Sequence, residues 1–287
     1  MRRVISKILL MSKSLFRLVY LRVWQNKNIS AGNIHMKAAE SKLVKIPFSK
    51  NQVYIRPSMS DVARVGEYGA SIYYSKTYLH DALKMSKPSI LIDIGANIGL
   101  SSLSLIEEFN SLKKVIAIEA EEENFGVLSS NFRLWSKKFP NILLQPIHAV
   151  ATSDGDAKMT EQTSLAELTG NNSASGTFRF EADSTIEAVN SKVLPSISIQ
   201  DLFDSFSPTE SVMVKIDIEG GEEYLMSQNT KWVRAASFIT MEIHDRFHPV
   251  MLNSSMNSIK ALADGNFAIT PSDDVLHCYN RDKLFCE

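Results

Sequence analysis

Residues 89–100, SILIDIGANIGL, constrain the fold more than any other part of the chain. They begin with an apolar run, reach an acid at Asp93, and pass through Gly95 and Gly99 into a segment with helical periodicity. A continuous apolar run is typical of a buried parallel strand. Glycine permits positive φ and lets a ligand approach the backbone, and a helix N-terminus attracts polar ligand groups. This order of strand, glycine-rich turn and helix predicts a small-molecule site.

The spacing of the turn, G-x-N-x-G, differs from two common nucleotide-binding motifs. It lacks the third glycine of the dinucleotide fingerprint G-x-G-x-x-G, and it lacks the Gly-Lys-Ser/Thr ending of a Walker loop. The turn by itself therefore indicates a ligand without naming it.

Strand-like and helix-like segments alternate after residue 89, which predicts an α/β fold with a parallel sheet and right-handed crossovers. Two final segments separated by Pro-Ser-Asp-Asp predict a C-terminal antiparallel hairpin. The predicted strands are 90–94, 114–119, 142–150, 212–218 and 238–243, with upstream candidates at 43–48 and 52–56. The predicted helices are 98–109, 121–135, 222–229 and 249–262, with a further helix at 77–85, and the hairpin strands are 267–270 and 275–280. The stretch 151–211, which includes SISIQDLFDSF at 196–206 near its end, is expected to form strands and loops in place of a crossover helix.

Charge divides the chain into two parts although the net charge is −1. Residues 1–50 carry eleven Lys or Arg and one acid, whereas the remainder carries 20 basic and 31 acidic residues. We therefore expect a basic extension and linker over 1–50 and a globular domain over 51–287. The acidic domain argues against nucleic acid as a partner.

Residues 1–27 contain seven basic residues and no acid, and most of the basic residues fall on one side of a predicted helix. Such a helix can lie on an anionic membrane surface, dock on a partner, pack on the domain, or serve as an organelle-targeting segment. The apolar residues are too interrupted for a spanning helix. We expect a cytoplasmic protein, with peripheral membrane contact through 1–27 left open. Cys278 and Cys286 are expected to be ordinary thiols.

A second acid ends the next apolar strand, 20 residues beyond Gly99, at Glu119. A carboxylate there can accept hydrogen bonds from the hydroxyls of a ribose. The alternative is a solvated charge at the end of a strand. After the third strand, Thr152, Ser153 and Asp154 can contact an adenine edge or simply form a turn.

The sequence VKIDIEGGEE places Lys215, Asp217 and Glu219 on a common face of an apolar strand. A buried strand rarely carries such charges. They either pair in a structural network or point into a polar cleft at the carboxyl edge of the sheet.

These motifs resemble known families. The turn D-I-G-A-N-I-G resembles the first motif of S-adenosylmethionine-dependent methyltransferases, and K-I-D-I-E-G-G-E resembles the signature of the FkbM-type methyltransferase family. Three other stretches are similar to parts of that family: VYIRP with Ser60 and Asp61, SIQDLF at 198–203, and MEIH at 241–244. The resemblance covers about residues 53–267. The segment between Asp61 and Tyr68 looks shorter than in the family, which leaves the shape of the cover over the site open.

The resemblance implies a Rossmann-like class I fold with a mostly parallel seven-stranded sheet that ends in an antiparallel hairpin. It also implies S-adenosyl-L-methionine as cofactor and a hydroxyl of a sugar, glycan or secondary metabolite as acceptor. The residues expected to hold the cofactor are Asp93, Gly95, Ala96, Asn97, Gly99, Glu119, Ala120 and Asp154.

The expected catalytic residues are Asp217, Glu219 and His244, which would position the acceptor hydroxyl and remove its proton. His244 is the natural base near neutral pH, although a structural role suits it equally. Asp217, Glu242 and His244 together would instead suit a divalent cation. A non-catalytic scaffold tethered by its N-terminal helix is the alternative function, and an NAD-type oxidoreductase is disfavoured by the glycine spacing.

Overall fold

The fold is taken from a computed structural model of the chain. It describes residues 43–69, 87–153, 159–160, 193–218, 222–227, 229–243, 254–272 and 275–284. The predicted helices at 1–27 and 77–85, and three predicted site residues, Asp154, Glu219 and His244, lie outside the described residues.

Helices and strands alternate along most of the described chain. The strands are β1 Val44–Phe48, β2 Asn51–Ile55, β3 Ile90–Ile94, β4 Lys114–Glu119, β5 Leu143–His148, β6 Val150–Thr152, β7 Met159–Thr160, β8 Val193–Leu194, β9 Ser196–Ser198, β10 Val212–Ile216, β11 Phe238–Glu242, β12 Phe267–Ser272 and β13 Val275–Asn280. The helices are α1 Met59–Gly69, α2 Leu100–Glu108, α3 Glu122–Ser136, α4 Ile199–Asp204, α5 Glu222–Ser227, α6 Lys231–Ala235, α7 Ser254–Asp264 and α8 Arg281–Leu284.

Seven strands form the central sheet, in the order β12-β13-β11-β10-β3-β4-β5. The pairs from β11 through β5 are parallel, while β13 runs antiparallel to both β11 and β12. The predicted seven-stranded sheet and its closing hairpin are therefore confirmed. Strand order reverses between β3 and β10, and open α/β sheets bind ligands outside the carboxyl ends of strands at such a point.

The two faces of the sheet are covered by different elements. Alternate residues of one strand, such as Leu91 and Ile92, contribute to opposite core clusters. One cluster contains side chains of β1, β2 and α1 to α3, and the other contains side chains of α4 to α7. Because both faces are buried, the strands β3, β4 and β10 read as nearly continuous apolar runs in the sequence.

The hairpin formed by β1 and β2 is fixed to α3 by buried polar groups. Asn131 accepts a hydrogen bond from the Tyr54 amide at 2.6 Å and donates one to the Tyr54 carbonyl at 3.0 Å. Trp135 Nε1 donates to the Gln52 carbonyl at 2.9 Å. Ile46 and Phe48 of β1 are buried in the core, so these residues of the predicted linker pack against the domain.

The predicted strand 142–150 is divided in the structure. β5 follows β4 as far as the pair Glu119 and His148, where β4 ends. The next residues find a different partner, and β6 pairs in parallel with β9 in a separate sheet. Because apolar periodicity continues through the change of partner, the sequence showed no break.

The prediction of strands and loops alone over 151–211 is wrong near the end of that stretch. Residues Ile199–Asp204 form α4, and the Ser198 hydroxyl caps its N-terminus by accepting from the Asp201 amide at 3.0 Å. Serine followed three residues later by an acid is a helix-start pattern. Among the described residues, no helix is long and apolar enough to cross a membrane.

Candidate active site

The glycine turn lies against the end of β4. The amides of Gly95 and Ala96 both donate to the Ile118 carbonyl at 3.0 Å, and the Gly99 amide donates to the Ala96 carbonyl at 2.8 Å. Gly95 and Gly99 have φ of 74° and 91°, and Asn97 has φ of 51°. Side chains rarely adopt these angles, so the turn needs glycine at its two ends.

Packing inside the protein imposes a second requirement at both glycines. A Cβ on Gly95 would lie 1.8 Å from the backbone oxygen of Asp217. A Cβ on Gly99 would lie 2.8 Å from Leu128 and 3.2 Å from Trp135 of α3. The absent side chains therefore let the turn contact the strand that carries the signature residues.

Asp93 lies beneath this turn with no exposed surface. Its Oδ2 accepts from the hydroxyls of Ser101 and Ser102 at 2.7 and 2.6 Å, and its Oδ1 lies 3.4 Å from Lys215 Nζ. Burying a carboxylate is costly unless it is paired and hydrogen-bonded, and here both conditions are met. Asp93 thus orders the turn and the start of α2 from below.

Lys215 joins the turn to the next strand. Its Nζ donates to the Gly95 carbonyl at 3.1 Å and lies 3.3 Å from Asp217 Oδ2, in addition to its pairing with Asp93. The ammonium group is therefore shared between a fully buried carboxylate and one at the edge of the sheet. The contacts of Lys215 agree with a structural network of charges on this strand. The partial exposure of Asp217 agrees with the alternative, a polar cleft at the carboxyl edge of the sheet.

Glu119 is buried at the end of β4 beside the turn. Its Oε2 accepts from the Asn97 amide at 2.7 Å, and its Oε1 accepts from the Glu121 amide at 3.0 Å. Burial raises the pKa of Glu119, and hydrogen bonds from Glu121, Asn97 and Asn124 oppose that rise. A carboxylate has about four acceptor positions, so room remains for a ribose hydroxyl.

A ring pair borders Glu119. The Phe125 and His148 rings stack with centroids 4.8 Å apart, and His148 Nε2 lies 3.0 Å from the carbonyl of Ala120. The ring pair thus lies beside Ala120, which the sequence predicts to bind the cofactor.

Thr152 and Ser153 form hydrogen bonds within the protein. Thr152 Oγ1 donates to the Ile197 carbonyl at 3.3 Å, and the Ser153 carbonyl accepts from the Ser198 hydroxyl at 3.3 Å. These bonds favour the structural interpretation for both residues over a contact with adenine.

A small open pocket lies on the other side of the turn, at the ends of β10 and β11. Asp217 and Glu242 bring carboxylates to it, Lys215 lies at its base, and α1 brings Tyr68. The full lining consists of Tyr68, Lys215, Ile216, Asp217, Thr240, Glu242 and Val275. The expected convergence of residues from these two strands is seen for Asp217 and Glu242.

Tyr68 and Thr240 were missed by reasoning from the sequence. Burial raises the pKa of Tyr68, the charges of Asp217 and Asp93 raise it further, and Lys215 opposes the rise. The phenol therefore stays protonated and can donate a hydrogen bond. Thr240 could have been found, because alternation along β11 places it on the same face as Glu242.

No metal-binding cluster is present within the part of the chain that the structure describes, where groups of three or more His, Cys, Asp or Glu were sought. His244, which belongs to the metal alternative, lies outside that part.

Comparison with known proteins now identifies the family. The model of the methyltransferase FkbM domain matches residues 93–258, which is more than half of the chain. The chain belongs to the FkbM methyltransferase family. The match begins at Asp93, runs through the glycine turn, and includes Lys215 and Asp217. The resemblance inferred from the motifs is confirmed.

One curated relative and two solved structures illustrate the range of similar proteins. Hexuronic acid methyltransferase AglP of Haloferax volcanii is 24% identical over 171 residues, which cover 60% of this chain and 62% of the relative's length. An FkbM methyltransferase structure from Methylobacillus flagellatus KT has a TM-score of 0.46 at 16% identity, covering 76% of this chain and 53% of that one. An O-methyltransferase from Bacillus cereus has a TM-score of 0.39 at 10% identity, covering 75% of this chain and 87% of that one.

The family is one of methyltransferases, the sheet order gives this chain a Rossmann-like fold, and S-adenosylmethionine is the cofactor that the family match supports. The chain spans less than two thirds of the length of the curated relative and of the FkbM structure. The described residues fit that cofactor, because the positive-φ turn and the buried carboxylate of Glu119 meet at the point where strand order reverses. The family assignment favours an enzyme over a scaffold, and S-adenosylmethionine over NAD.

Proposed function

We propose that the protein transfers the methyl group of S-adenosylmethionine to a hydroxyl of a sugar, glycan or other secondary metabolite. The observation that carries this proposal is the small pocket beside the glycine turn, which both Asp217 and Glu242 line. Carboxylates can accept hydrogen bonds from the hydroxyls of an acceptor. The name of the curated relative, a hexuronic acid methyltransferase, supports a sugar acceptor.

The cofactor residues would act chiefly by orientation. S-adenosylmethionine, when bound, supplies a methyl group that its sulfonium already activates. In this proposal Gly95, Ala96, Asn97 and Gly99 shape the surface for its amino-acid end. Glu119 accepts from the ribose, with Ala120 beside it, while Asp93 holds the turn in place from beneath. Asp154 remains a proposed contact to adenine.

The acceptor residues would hold one hydroxyl and take its proton. We assign proton removal to the group formed by Asp217, Glu219 and His244. His244 is suited to it by its ordinary pKa near neutrality. Asp217, which lines the pocket, orients the hydroxyl, and Lys215 Nζ lies 3.3 Å from its carboxylate oxygen. The acceptor oxygen forms a bond to the methyl carbon as the bond from that carbon to sulfur breaks, and the hydroxyl proton passes to the base.

Transfer can be tested by incubating the full chain with cofactor labelled with ¹³C in its methyl group and with a panel of neutral sugars, uronic acids and glycans. Mass spectrometry should find an acceptor that gains one methyl group, and the ¹³C shift of that methyl should identify attachment to oxygen. Attachment to nitrogen or carbon would refute the proposed O-methylation while leaving methyl transfer intact. Failure to bind either S-adenosylmethionine or its demethylated product in calorimetry would refute the enzyme itself.

The proposed base is tested by two variants. Asp217→Asn and His244→Ala should each lower kcat about a hundredfold, because general-base catalysis contributes on this order. Cofactor affinity should change much less. Asp204→Asn is the matched control, since Asp204 is exposed on α4 and its side chain accepts a hydrogen bond from Gln200. Full turnover in both site variants would refute the assignment.

Residues 1–27 offer a separate test of location. We propose that their seven basic residues attract anionic lipid headgroups. Sedimentation with anionic vesicles, with and without residues 1–27, should show binding only for the full chain. Equal sedimentation of both forms would refute this proposal.

A further inference from the structure

The small pocket at the ends of β10 and β11 (the acceptor pocket) has one basic residue in its described lining, Lys215. Lys215 Nζ donates to the Gly95 carbonyl at 3.1 Å, and it lies 3.3 Å from Asp217 Oδ2 and 3.4 Å from Asp93 Oδ1. An ammonium group has three donors, and here three oxygens of the protein surround it. Because the side chain is also only 6% exposed, an anionic group of an acceptor would have to displace one of these oxygens to pair with Lys215.

Two carboxylates line the same pocket. Ile216 of β10 pairs with Met241 of β11, and the residues that follow them in the two strands are Asp217 and Glu242. Neighbouring strands lie about 4.8 Å apart, so the two carboxylates come from adjacent positions at the edge of the sheet. A third negative charge would be repelled there, whereas the hydroxyl groups of a ligand can donate hydrogen bonds to both carboxylates.

Tyr68 and Thr240 bring neutral polar groups to the lining. Burial raises the pKa of the Tyr68 phenol, so the phenol stays protonated and can donate a hydrogen bond. The Thr240 hydroxyl lies 3.1 Å from Nδ1 of His277. Burial lowers the pKa of His277 below the usual 6.5, so this imidazole adds no positive charge behind the pocket at neutral pH. Arg64 opposes the rise in the pKa of Tyr68, but it is not one of the lining residues.

We propose that the acceptor pocket selects against negative charge and takes a neutral polyhydroxyl group, such as the ring of a neutral sugar. This inference rests on the proposed methyl transfer to a hydroxyl. Asp217 and Glu242 accept from hydroxyl groups of the sugar, and Tyr68 donates to a hydroxyl oxygen. A carboxylate or phosphate in the same place would meet two carboxylates and an ammonium group that is already surrounded. The curated relative is named for a hexuronic acid, so the two proteins should differ in the acceptors that they take.

The inference is tested with matched sets of methyl glycosides that differ only in the group at carbon 6: a hydroxymethyl group, a carboxylate or a protonated aminomethyl group. The full chain is incubated with S-adenosylmethionine and with each glycoside of the glucose, galactose and mannose series, and kcat/KM for methyl transfer is measured. The neutral glycoside should exceed the uronate about tenfold, because bringing like charges together is costly. The amino glycoside should not show this loss, since its charge has the opposite sign.

Glu242→Gln removes one charge and keeps the shape of the side chain, so the ratio of neutral to uronate kcat/KM should fall about fivefold. Asp204→Asn is the matched control, because it removes an exposed carboxylate that does not line the pocket, and it should leave the ratio unchanged. The salt dependence of the wild type keeps the test decisive if Glu242→Gln fails to fold. Raising the salt concentration should narrow the wild-type ratio, since ions screen charges in an open pocket.

A uronate that is methylated as fast as its neutral counterpart, or faster, would overturn the inference. Equal losses with the uronate and the amino glycoside would also overturn it, because they would show that polarity or size decides and not the sign of the charge. An unchanged ratio in folded Glu242→Gln would have the same consequence. Methyl transfer to none of the glycosides, although S-adenosylmethionine binds, would overturn the proposed sugar acceptor and this inference with it, whereas the other outcomes leave methyl transfer intact.

Discussion

The two halves of the site differ in how their carboxylates are held. In the cofactor half, Asp93 and Glu119 are buried, and hydroxyls, amides and Lys215 satisfy them. In the acceptor half, Asp217 and Glu242 line an open pocket and remain partly exposed. A buried carboxylate that several neighbouring groups hold presents one fixed geometry, which suits a ligand that never changes. An open carboxylate can meet acceptors of different shape.

Lys215 is the one group that touches carboxylates of both halves in the described structure. The pairing of β10 with β3 places Lys215 beside Asp93 in the sheet. Through Lys215, the buried Asp93 of the cofactor half helps to fix the position of Asp217 in the acceptor half. The following changes test this division, from the largest expected effect to the smallest.

Gly95→Ala should destabilise the fold by about 4 kcal/mol, because a Cβ would both strain a positive φ and meet the Asp217 carbonyl. Urea unfolding measures the loss. Gly126→Ala is the matched control, since nothing lies within 4 Å of its added Cβ in α3, and it should gain about 0.5 kcal/mol. Similar stabilities for the two variants would contradict the close packing of the two motifs.

Lys215→Met should cost about 3 kcal/mol, because it leaves the buried charge of Asp93 without its cation. Neutralising that charge in the double variant Lys215→Met with Asp93→Asn should recover at least half of the loss, measured by thermal and urea unfolding. Additive losses in the double variant would show that the ion pair is not the cause.

Glu119→Gln should weaken cofactor binding about tenfold by calorimetry while the fold survives. An alanine would leave the amides of both Asn97 and Glu121 without an acceptor, whereas glutamine keeps one acceptor oxygen, so glutamine is the smaller change. The raised pKa of Glu119 also predicts a pH effect. The folded chain holds this proton more tightly than the unfolded chain, so the contribution of Glu119 to the free energy of unfolding should fall as pH rises above the usual 4.5.

The variant lacks that titration, and its stability relative to wild type should therefore improve between about pH 4.5 and the raised pKa of Glu119. Urea unfolding of both proteins across this range measures the difference. Parallel pH curves would show that burial does not control the proton on Glu119.

Tyr68→Phe should lower kcat about threefold and leave cofactor affinity unchanged, because it removes one neutral donor from the acceptor pocket. The raised pKa of Tyr68 means that the wild-type rate should show no step from a phenol near its ordinary pKa of 10. A loss of cofactor affinity in this variant would place Tyr68 in the other half of the site.

Much of the fold followed from local patterns. β3, β4 and the C-terminal hairpin lie close to their predicted positions because buried strands and turn residues leave strong local signals. α4 and the change of partner after His148 were missed. A short capped helix and a strand that exchanges neighbours depend on which backbone groups are free nearby, and periodicity does not report that.

The sequence likewise predicted part of the candidate site, as it predicted part of the fold. The acids that end β4 and follow β10 stood out because charge after an apolar strand is unusual. Arg56 was noted only as part of the VYIRP stretch, and its contact with Asn124 could not be foreseen, since the two residues are 68 positions apart. Tyr68 was also not predicted as a site residue. The position of α1 beside the pocket depends on how the β1–β2 hairpin packs against α3.

The sequence by itself determined the order of strand, glycine turn and helix, the spacing to Glu119, and the signature that marks the family. Only the tertiary structure decided which acids are enclosed and which stay open. Asp93 and Asp217 look alike in the sequence, each an acid at the end of an apolar run. Strand register buries the first among serine hydroxyls and leaves the second at the edge of the sheet. Burial and hydrogen-bond saturation depend on neighbours that are distant in the chain, and these decide which acid holds the fold and which faces the acceptor.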